Sequence, residues 1–154
     1  MDLKLGDKAP SFKLAADTGG EVSLASLKGA PVVLYFYPKD NTPGCTKEAI
    51  AFSALSKKFQ ELGVTVIGIS KDSKESHDRF KSKHKLKLTL ASDPETEIAQ
   101  AYGVWVEKTL YGRKSMGVER ATFLIDQAGK IQAIWRKVKV DGHAEAVLDA
   151  AKAL

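Results

Sequence analysis

The chain contains one cysteine, Cys45, which stands in the segment YPKDNTPGCT. Because there is no second thiol, Cys45 cannot form an intrachain disulfide. It follows Pro43 and Gly44, where an apolar run has ended and a helical pattern begins. N–H groups in the first turn of a helix lack intrahelical partners, and that end carries partial positive charge. Both effects favour the thiolate, which is the nucleophilic form of cysteine.

An inert core residue is the alternative interpretation of Cys45, because free cysteine is among the most buried residue types. The polar segment KDNT directly before Pro43 makes this a poor place for a core residue. Gly44 also leaves the backbone N–H beside the sulfur unobstructed, because glycine has no side chain. The placement between a buried strand and a helix therefore favours a reactive thiol.

Other kinds of cysteine site lack their partner residues. A thioredoxin-type dithiol needs a second Cys three residues further on, where this chain has Glu48. A cysteine protease needs a histidine base, and His77, His84 and His143 show no local signature of one. A zinc site needs a cluster of Cys and His that the sequence does not contain. We expect no metal and no cofactor, and we expect the three histidines to be surface residues on helices.

Strands and helices alternate around Cys45. Residues 32–37 and 64–70 are β-branched and aromatic runs, which are typical of fully buried strands. Apolar residues at three- and four-residue spacing predict a helix from Pro43 to Leu62. Further helices are predicted at 73–86, at 94–102 and, with Asp141 as the candidate N-cap, at 141–154. Shorter strands are predicted at 10–15, 21–27, 88–93, 104–106, 120–126 and 131–138.

The predicted order is β-β-β-α-β-α-β-α-β-β-β-α, with residues 107–119 as a loop rich in Gly and Lys. Such alternation favours an α/β sandwich. The turn QAGK joins the last two strands as an antiparallel hairpin, which makes the predicted sheet mixed. A second hairpin is predicted around residues 17–20. The length of 154 residues fits one domain spanning 1–154.

Composition limits the classes of function. The chain is 44% hydrophobic and 28% charged, which is typical of a globular protein. The sequence shows neither a run of roughly 20 apolar residues nor a secretory signal, and its lone cysteine favours a reducing compartment, so we expect no membrane association and a cytoplasmic location. The net charge is +5, but acidic residues interrupt the densest basic run, at 72–88. We interpret that run as a solvated helix face and expect no nucleic acid partner.

The segment YPKDNTPGCTKEA resembles the active-site segment of peroxiredoxins, which have Pro, Thr and Cys at the spacing of Pro38, Thr42 and Cys45. GCTKEA is similar to the branch called bacterioferritin comigratory proteins, or Q-type peroxiredoxins. The similarity continues in SHDRF, SDPETEIAQAYGVW, MGVERATFLID and WRKVKVDGHAEAVL, and so covers essentially the whole chain. It implies a thioredoxin-like fold with an added N-terminal hairpin, and thiol-dependent reduction of hydrogen peroxide and organic hydroperoxides.

The resemblance also implies roles for individual residues. Cys45 would attack a peroxide oxygen and become a sulfenic acid. Arg120 would favour the thiolate and hold a peroxide oxygen, while Thr42 would orient the attacked oxygen. Pro38 would shield the sulfur from bulk water. Glu48 would orient Arg120 through a charge-assisted pair, the alternative being an exposed helix glutamate.

The chain departs from this branch at Ile50, where many members carry a resolving cysteine. Other members carry it in the next helix, but residues 78–85 contain none. The resemblance thus implies a one-Cys enzyme that is a monomer, and its sulfenic acid would be reduced by thioredoxin, glutaredoxin or glutathione. Alternatively, Ile50 was introduced by engineering, which the wild-type gene sequence would decide.

Two further functions stay open at this point. One is a thioredoxin-like protein with general thiol-transfer activity, against which the missing second cysteine argues. The other is a basic, non-enzymatic binding module that uses the Lys-rich residues 71–87. Rapid loss of the Cys45 thiol at low peroxide concentration would support the peroxidase alone.

Overall fold

The apolar, β-branched runs of the sequence form the centre of a seven-stranded sheet in the computed structural model, which describes residues 3–17 and 20–154. The strands are β1 (Lys13–Ala16), β2 (Glu21–Ser23), β3 (Val32–Phe36), β4 (Thr65–Ser70), β5 (Thr89–Ser92), β6 (Trp105–Leu110), β7 (Arg113–Val118), β8 (Ala121–Ile125) and β9 (Ile131–Trp135). The helices are α1 (Pro43–Ala54), α2 (Ser56–Glu61), α3 (Lys74–His84), α4 (Glu97–Ala101) and α5 (His143–Lys152).

The large sheet has the order β2-β1-β5-β4-β3-β8-β9, and β6 and β7 form a separate pair. Strands β3, β4 and β5 are parallel, whereas β8 and β9 are antiparallel to their neighbours. The prediction of a mixed sheet is therefore confirmed. The N-terminal hairpin is also present, since β1 and β2 pair antiparallel from Lys13–Ser23 to Ala15–Glu21. Part of its predicted turn, residues 18 and 19, lies outside the described residues.

The core has two apolar layers, one on each face of the sheet. Val33 and Tyr35 of β3 point to the layer that α1, α2, α3 and α5 cover. Val32, Leu34 and Phe36 point to the opposite layer, which α4 and the N-terminal segment cover. All five residues of β3 are buried, as the continuous apolar run predicted. This central strand therefore gives a fixed starting point to the loop that leads to Cys45.

The predicted helix over residues 43–62 is two helices. At Leu55, φ is −98° and ψ is 6°, which ends α1 before α2 begins. The apolar spacing did not reveal this break because Phe52 and Phe59, on either side of it, are buried in the same layer.

The region predicted as a loop, residues 107–119, contains most of the β6–β7 hairpin. Tyr111 and Gly112 both have positive φ, 54° and 76°, as a tight two-residue hairpin turn requires. Most of the hairpin's residues are exposed. Their side chains therefore need no apolar alternation, which is the pattern that would have predicted a second strand.

Two predicted helix starts are also wrong. Helix α4 begins at Glu97 rather than Pro94, because the buried carboxylate of Asp93 accepts hydrogen bonds from the N–H groups of Ile98 and Ala99. Asp141 is not the N-cap of α5. That position is Gly142, and the Asp141 carboxylate instead forms an ion pair with Lys47 of α1.

None of the helices in the described part of the chain is long and apolar enough to cross a membrane.

Candidate active site

Cys45 lies in the first turn of α1 and is 1% exposed. The helix begins after Thr42, whose backbone is extended, and Pro43 occupies the first helical position, where a missing N–H costs nothing. The Sγ atom of Cys45 accepts a hydrogen bond from Arg120 Nη2 at 3.3 Å. A Cβ at Gly44 would lie 3.1 Å from the same Nη2 atom, so glycine leaves room for the guanidinium.

Arg120 connects the thiol to a buried carboxylate. Its Nη1 atom donates to Glu48 Oε1 at 2.7 Å while Nη2 donates to the Cys45 sulfur. Glu48 stands one turn after Cys45 on α1, and its side chain is 1% exposed. The expected pairing of Glu48 with Arg120 is present, and Glu48 is not an exposed helix residue. The sequence-predicted residues Cys45, Glu48 and Arg120 thus form one hydrogen-bonded unit.

Burial controls the electrostatics of this unit. Loss of water raises the pKa of Glu48 to about 7, although Arg120 acts in the opposite direction. Burial acts to lower the pKa of Arg120, but Glu48 and Cys45 outweigh it, and the pKa rises. Glu48 Oε2 is buried without a hydrogen-bond partner among the described residues. The guanidinium therefore stays charged beside the sulfur, while Glu48 is close to its titration point at neutral pH.

Pro38 and Thr42 lie at the two ends of the loop that leads into α1. The Thr42 hydroxyl donates to the Lys39 carbonyl at 2.8 Å and does not cap the helix, so its oxygen keeps the capacity to accept a hydrogen bond. Both Thr42 and Pro38 are half-buried. Pro38 follows Tyr37 directly, at the end of the buried central run.

The expectation of three surface histidines is wrong for His77 and His143. His143 is 6% exposed, and its Nε2 lies 2.7 Å from the Thr122 hydroxyl. Burial, with a further contribution from Arg120, lowers the pKa of His143 to about 4, so the ring is neutral at neutral pH. His77 is fully buried, and His84 is half-buried. A signal was present for His77, because it precedes the buried Phe80 by three residues and so shares its helix face.

Comparison with known proteins shows the family to which the chain belongs. The AhpC/TSA family model matches residues 5–134. Putative peroxiredoxin bcp of Coxiella burnetii is 51% identical over 148 residues, which are 96% of this chain and 98% of that protein.

Two solved structures are similar throughout. Bacterioferritin comigratory protein of Xanthomonas campestris, from a study of its alkyl peroxide reduction activity, has a TM-score of 0.88 at 43% identity and covers 92% of this chain and 90% of its own. Peroxiredoxin Q of Xylella fastidiosa has a TM-score of 0.94 at 39% identity and covers 99% and 98%.

The chain therefore belongs to the AhpC/TSA family and is a peroxiredoxin, a thiol-dependent peroxidase. Within that family its relatives are the bacterioferritin comigratory proteins, also called peroxiredoxin Q. The thioredoxin-like fold that the resemblance implied is confirmed. The implied class of enzyme, a thiol-dependent peroxidase, is also confirmed. The two alternatives, a general thiol-transfer protein and a basic binding module, are therefore set aside.

Proposed function

We propose that the chain reduces hydrogen peroxide and organic hydroperoxides at Cys45 and depends on an external thiol to complete each cycle. One observation carries this proposal: the single thiol of the chain lies at the start of α1 with the Arg120 guanidinium 3.3 Å from its sulfur. A cation and a helix N-terminus at the same atom both favour the reactive thiolate.

The chemistry is a two-electron oxidation of the sulfur. The Cys45 thiolate attacks one peroxide oxygen, the O–O bond breaks, and the second oxygen leaves and takes up a proton as alcohol or water. Cys45 is then a sulfenic acid. An external thiol attacks this sulfur, releasing water and forming a mixed disulfide, and a second thiol frees Cys45 as a thiolate while the two reductants leave as a disulfide.

The surrounding residues act on the breaking O–O bond. Arg120 stabilises the negative charge that develops on the leaving oxygen, as a positioned donor does in an oxyanion hole. The Thr42 hydroxyl orients the attacked oxygen, and Pro38 restricts access of bulk water to the sulfur. Glu48 fixes the guanidinium plane through its 2.7 Å bond, so that Nη2 is aimed at Cys45.

Glu48→Gln should change how stability depends on pH. The pKa of Glu48 rises from an ordinary 4.5 to about 7 on folding, so its protonated form favours the folded state. The stability advantage is complete below about pH 4.5 and is lost as pH rises through 7. The free energy of unfolding of the natural chain, relative to Glu48→Gln, should fall by roughly 2–3 kcal/mol between these limits.

Urea unfolding of both proteins across this pH range measures the difference. Other titrating groups are common to the two proteins and cancel. If the free energy of unfolding depended on pH in the same way in both proteins, Glu48 would ionise like an exposed carboxylate. The assignment of a raised pKa to a buried Glu48 would then be wrong.

Oxidation without added thiol tests the one-Cys proposal. One equivalent of hydrogen peroxide should add one oxygen to the reduced protein, and excess peroxide should add further oxygens as the sulfinic and sulfonic acids form. A small thiol present with the peroxide should instead give a mixed disulfide and restore turnover. Intact mass and free-thiol measurements follow both. Failure of Cys45 to gain oxygen, with the protein folded, would contradict the proposal.

Several partner and location assignments extend this proposal. We infer that the reductant is thioredoxin, glutaredoxin or glutathione, and turnover with each distinguishes them. The absence of a nucleic acid partner is supported by ion pairs that lysines of the basic helix α3 form, Lys74 with Asp78 of the same helix and Lys81 with Asp17 beyond β1. We also infer a monomeric, cytoplasmic enzyme whose single domain spans residues 1–154.

A further inference from the structure

A second buried polar cluster lies outside the Cys45–Glu48–Arg120 unit, under the loop that leads into α1. At its centre are Asp40 of this loop and His77 of α3, whose side chains are 2% and 0% exposed. His77 Nδ1 lies 2.8 Å from Asp40 Oδ2. Tyr37 and Ser76 also donate hydrogen bonds to the Asp40 carboxylate, at 2.6 and 2.8 Å.

Hydrogen-bond accounting assigns a proton to each ring nitrogen of His77. Nε2 lies 3.0 Å from the Ala91 carbonyl of β5, and a carbonyl oxygen can only accept. Nδ1 faces Asp40, whose carboxylate also accepts hydrogen bonds from Tyr37 and Ser76. Burial acts to raise the pKa of this carboxyl, but its hydrogen bonds outweigh burial and lower the pKa. Asp40 is therefore ionised and accepts from Nδ1. Both nitrogens donate, and the ring is a buried imidazolium.

This pair holds the loop from which α1 begins. The Asp40 N–H donates to Asp72 Oδ2 at 2.8 Å, so both its main chain and its side chain are fixed. Asn41 follows with a φ of 61°, a left-handed conformation that the loop must maintain. Thr42 then starts the helix, and its hydroxyl is tied to the Lys39 carbonyl. A shift of Asp40 would therefore move the start of α1 relative to Arg120.

We propose that His77 is a positioning residue for the peroxidase reaction, acting as a buried cation that fixes Asp40 and thereby the loop from which α1 and Cys45 begin. The proposal rests on the peroxidase function proposed above. Among the residues that the structure describes, the titratable side chains hydrogen-bonded to the His77 ring are Asp40 and Tyr37, while β5 presents the Ala91 carbonyl. The hydrogen-bond partners of His77 do not include the Cys45 sulfur, and it acts through Asp40.

Nitrogen NMR of the histidine rings in the unaltered protein tests the charge. At neutral pH both ring nitrogens of His77 should carry hydrogen. His143 is the internal control, because its lowered pKa of about 4 leaves one nitrogen bare. A bare nitrogen on His77 at neutral pH would overturn the proposal.

His77→Asn tests the positioning role, since asparagine keeps a donor for Asp40 but removes the charge and the bond to Ala91. A small misplacement of reacting groups can cost up to about a hundredfold in rate, so oxidation of Cys45 by hydrogen peroxide should slow at least about tenfold. Alkylation of Cys45 by iodoacetamide should become faster, because the loosened loop exposes a sulfur that is now buried.

Phe80→Leu is the matched control. Phe80 is fully buried, lies one turn from His77 on α3 and touches none of the cluster's hydrogen bonds, so it reports general loosening of the helix. The control should lower the melting temperature while keeping the peroxide rate within about twofold of the natural chain. An equal loss of rate in both variants, or a normal rate in His77→Asn, overturns the positioning role. If His77→Asn does not fold, Asp40→Asn should show the same two changes, which are slower oxidation of Cys45 by hydrogen peroxide and faster alkylation by iodoacetamide.

A failure of the peroxidase function would look different, because the natural chain itself would then consume no peroxide.

Discussion

Cys45→Ser is expected to abolish peroxide turnover and leave the fold nearly intact. The hydroxyl of serine does not ionise at neutral pH and cannot pass through a sulfenic acid, so both the nucleophile and the intermediate are lost. Serine is close in size to cysteine, and its oxygen can accept the Arg120 Nη2 hydrogen bond that the sulfur accepts now. Peroxide consumption in the presence of a thiol reductant, followed with near-ultraviolet circular dichroism as the check of folding, measures the result.

Ile50→Ala is the control for this experiment, because Ile50 lies on the same helix but is 45% exposed. It should keep the rate of the natural chain within about twofold, as surface substitutions away from such sites usually do. Substantial peroxide consumption by folded Cys45→Ser would show that the Cys45 thiol is not the nucleophile of the peroxidase reaction.

The sequence pattern alone predicted only the part of the site whose residues are contiguous in the chain. The buried run of β3, the polar loop and the start of α1 follow one another along the chain, so Cys45 could be placed from residue types alone. Arg120 is 75 residues away and was assigned by family resemblance. The structure supplies the physical reason for its position: β8 pairs with β3 so that Ala121 faces Phe36, which places Arg120 beside the loop after Tyr37.

The errors have other causes, and for the histidines the cause is tertiary context. His77 and His143 carry polar rings that sequence statistics place outside, yet each finds buried hydrogen-bond partners, Asp40 and Thr122 among them, from distant segments. The β6–β7 hairpin was missed because its exposed faces carry no apolar alternation. Periodicity records which side chains are buried. It does not record which polar groups a fold brings together.

Arg120→Met is expected to slow the reaction with hydrogen peroxide by at least about tenfold, because removing one positioned donor typically costs a factor of 10² or more. The thiolate is also less favoured without the cation 3.3 Å from its sulfur. Arg120 holds the pKa of Glu48 down to about 7, so its loss should raise that pKa and leave Glu48 protonated at neutral pH. The variant should therefore fold without an unpaired buried charge.

Stopped-flow oxidation of the reduced thiol, with the two tryptophans as fluorescent reporters, gives the rate constant. Two further variants separate charge from geometry. Arg120→Lys keeps a cation but cannot donate to Cys45 and Glu48 as a planar fork does, so its rate should fall between those of the natural chain and Arg120→Met. Arg120→Met combined with Glu48→Gln should be as slow as Arg120→Met alone, because Glu48 acts through the guanidinium. An unchanged rate in Arg120→Met, with an unchanged pH profile of thiol alkylation, would place Arg120 outside the reaction.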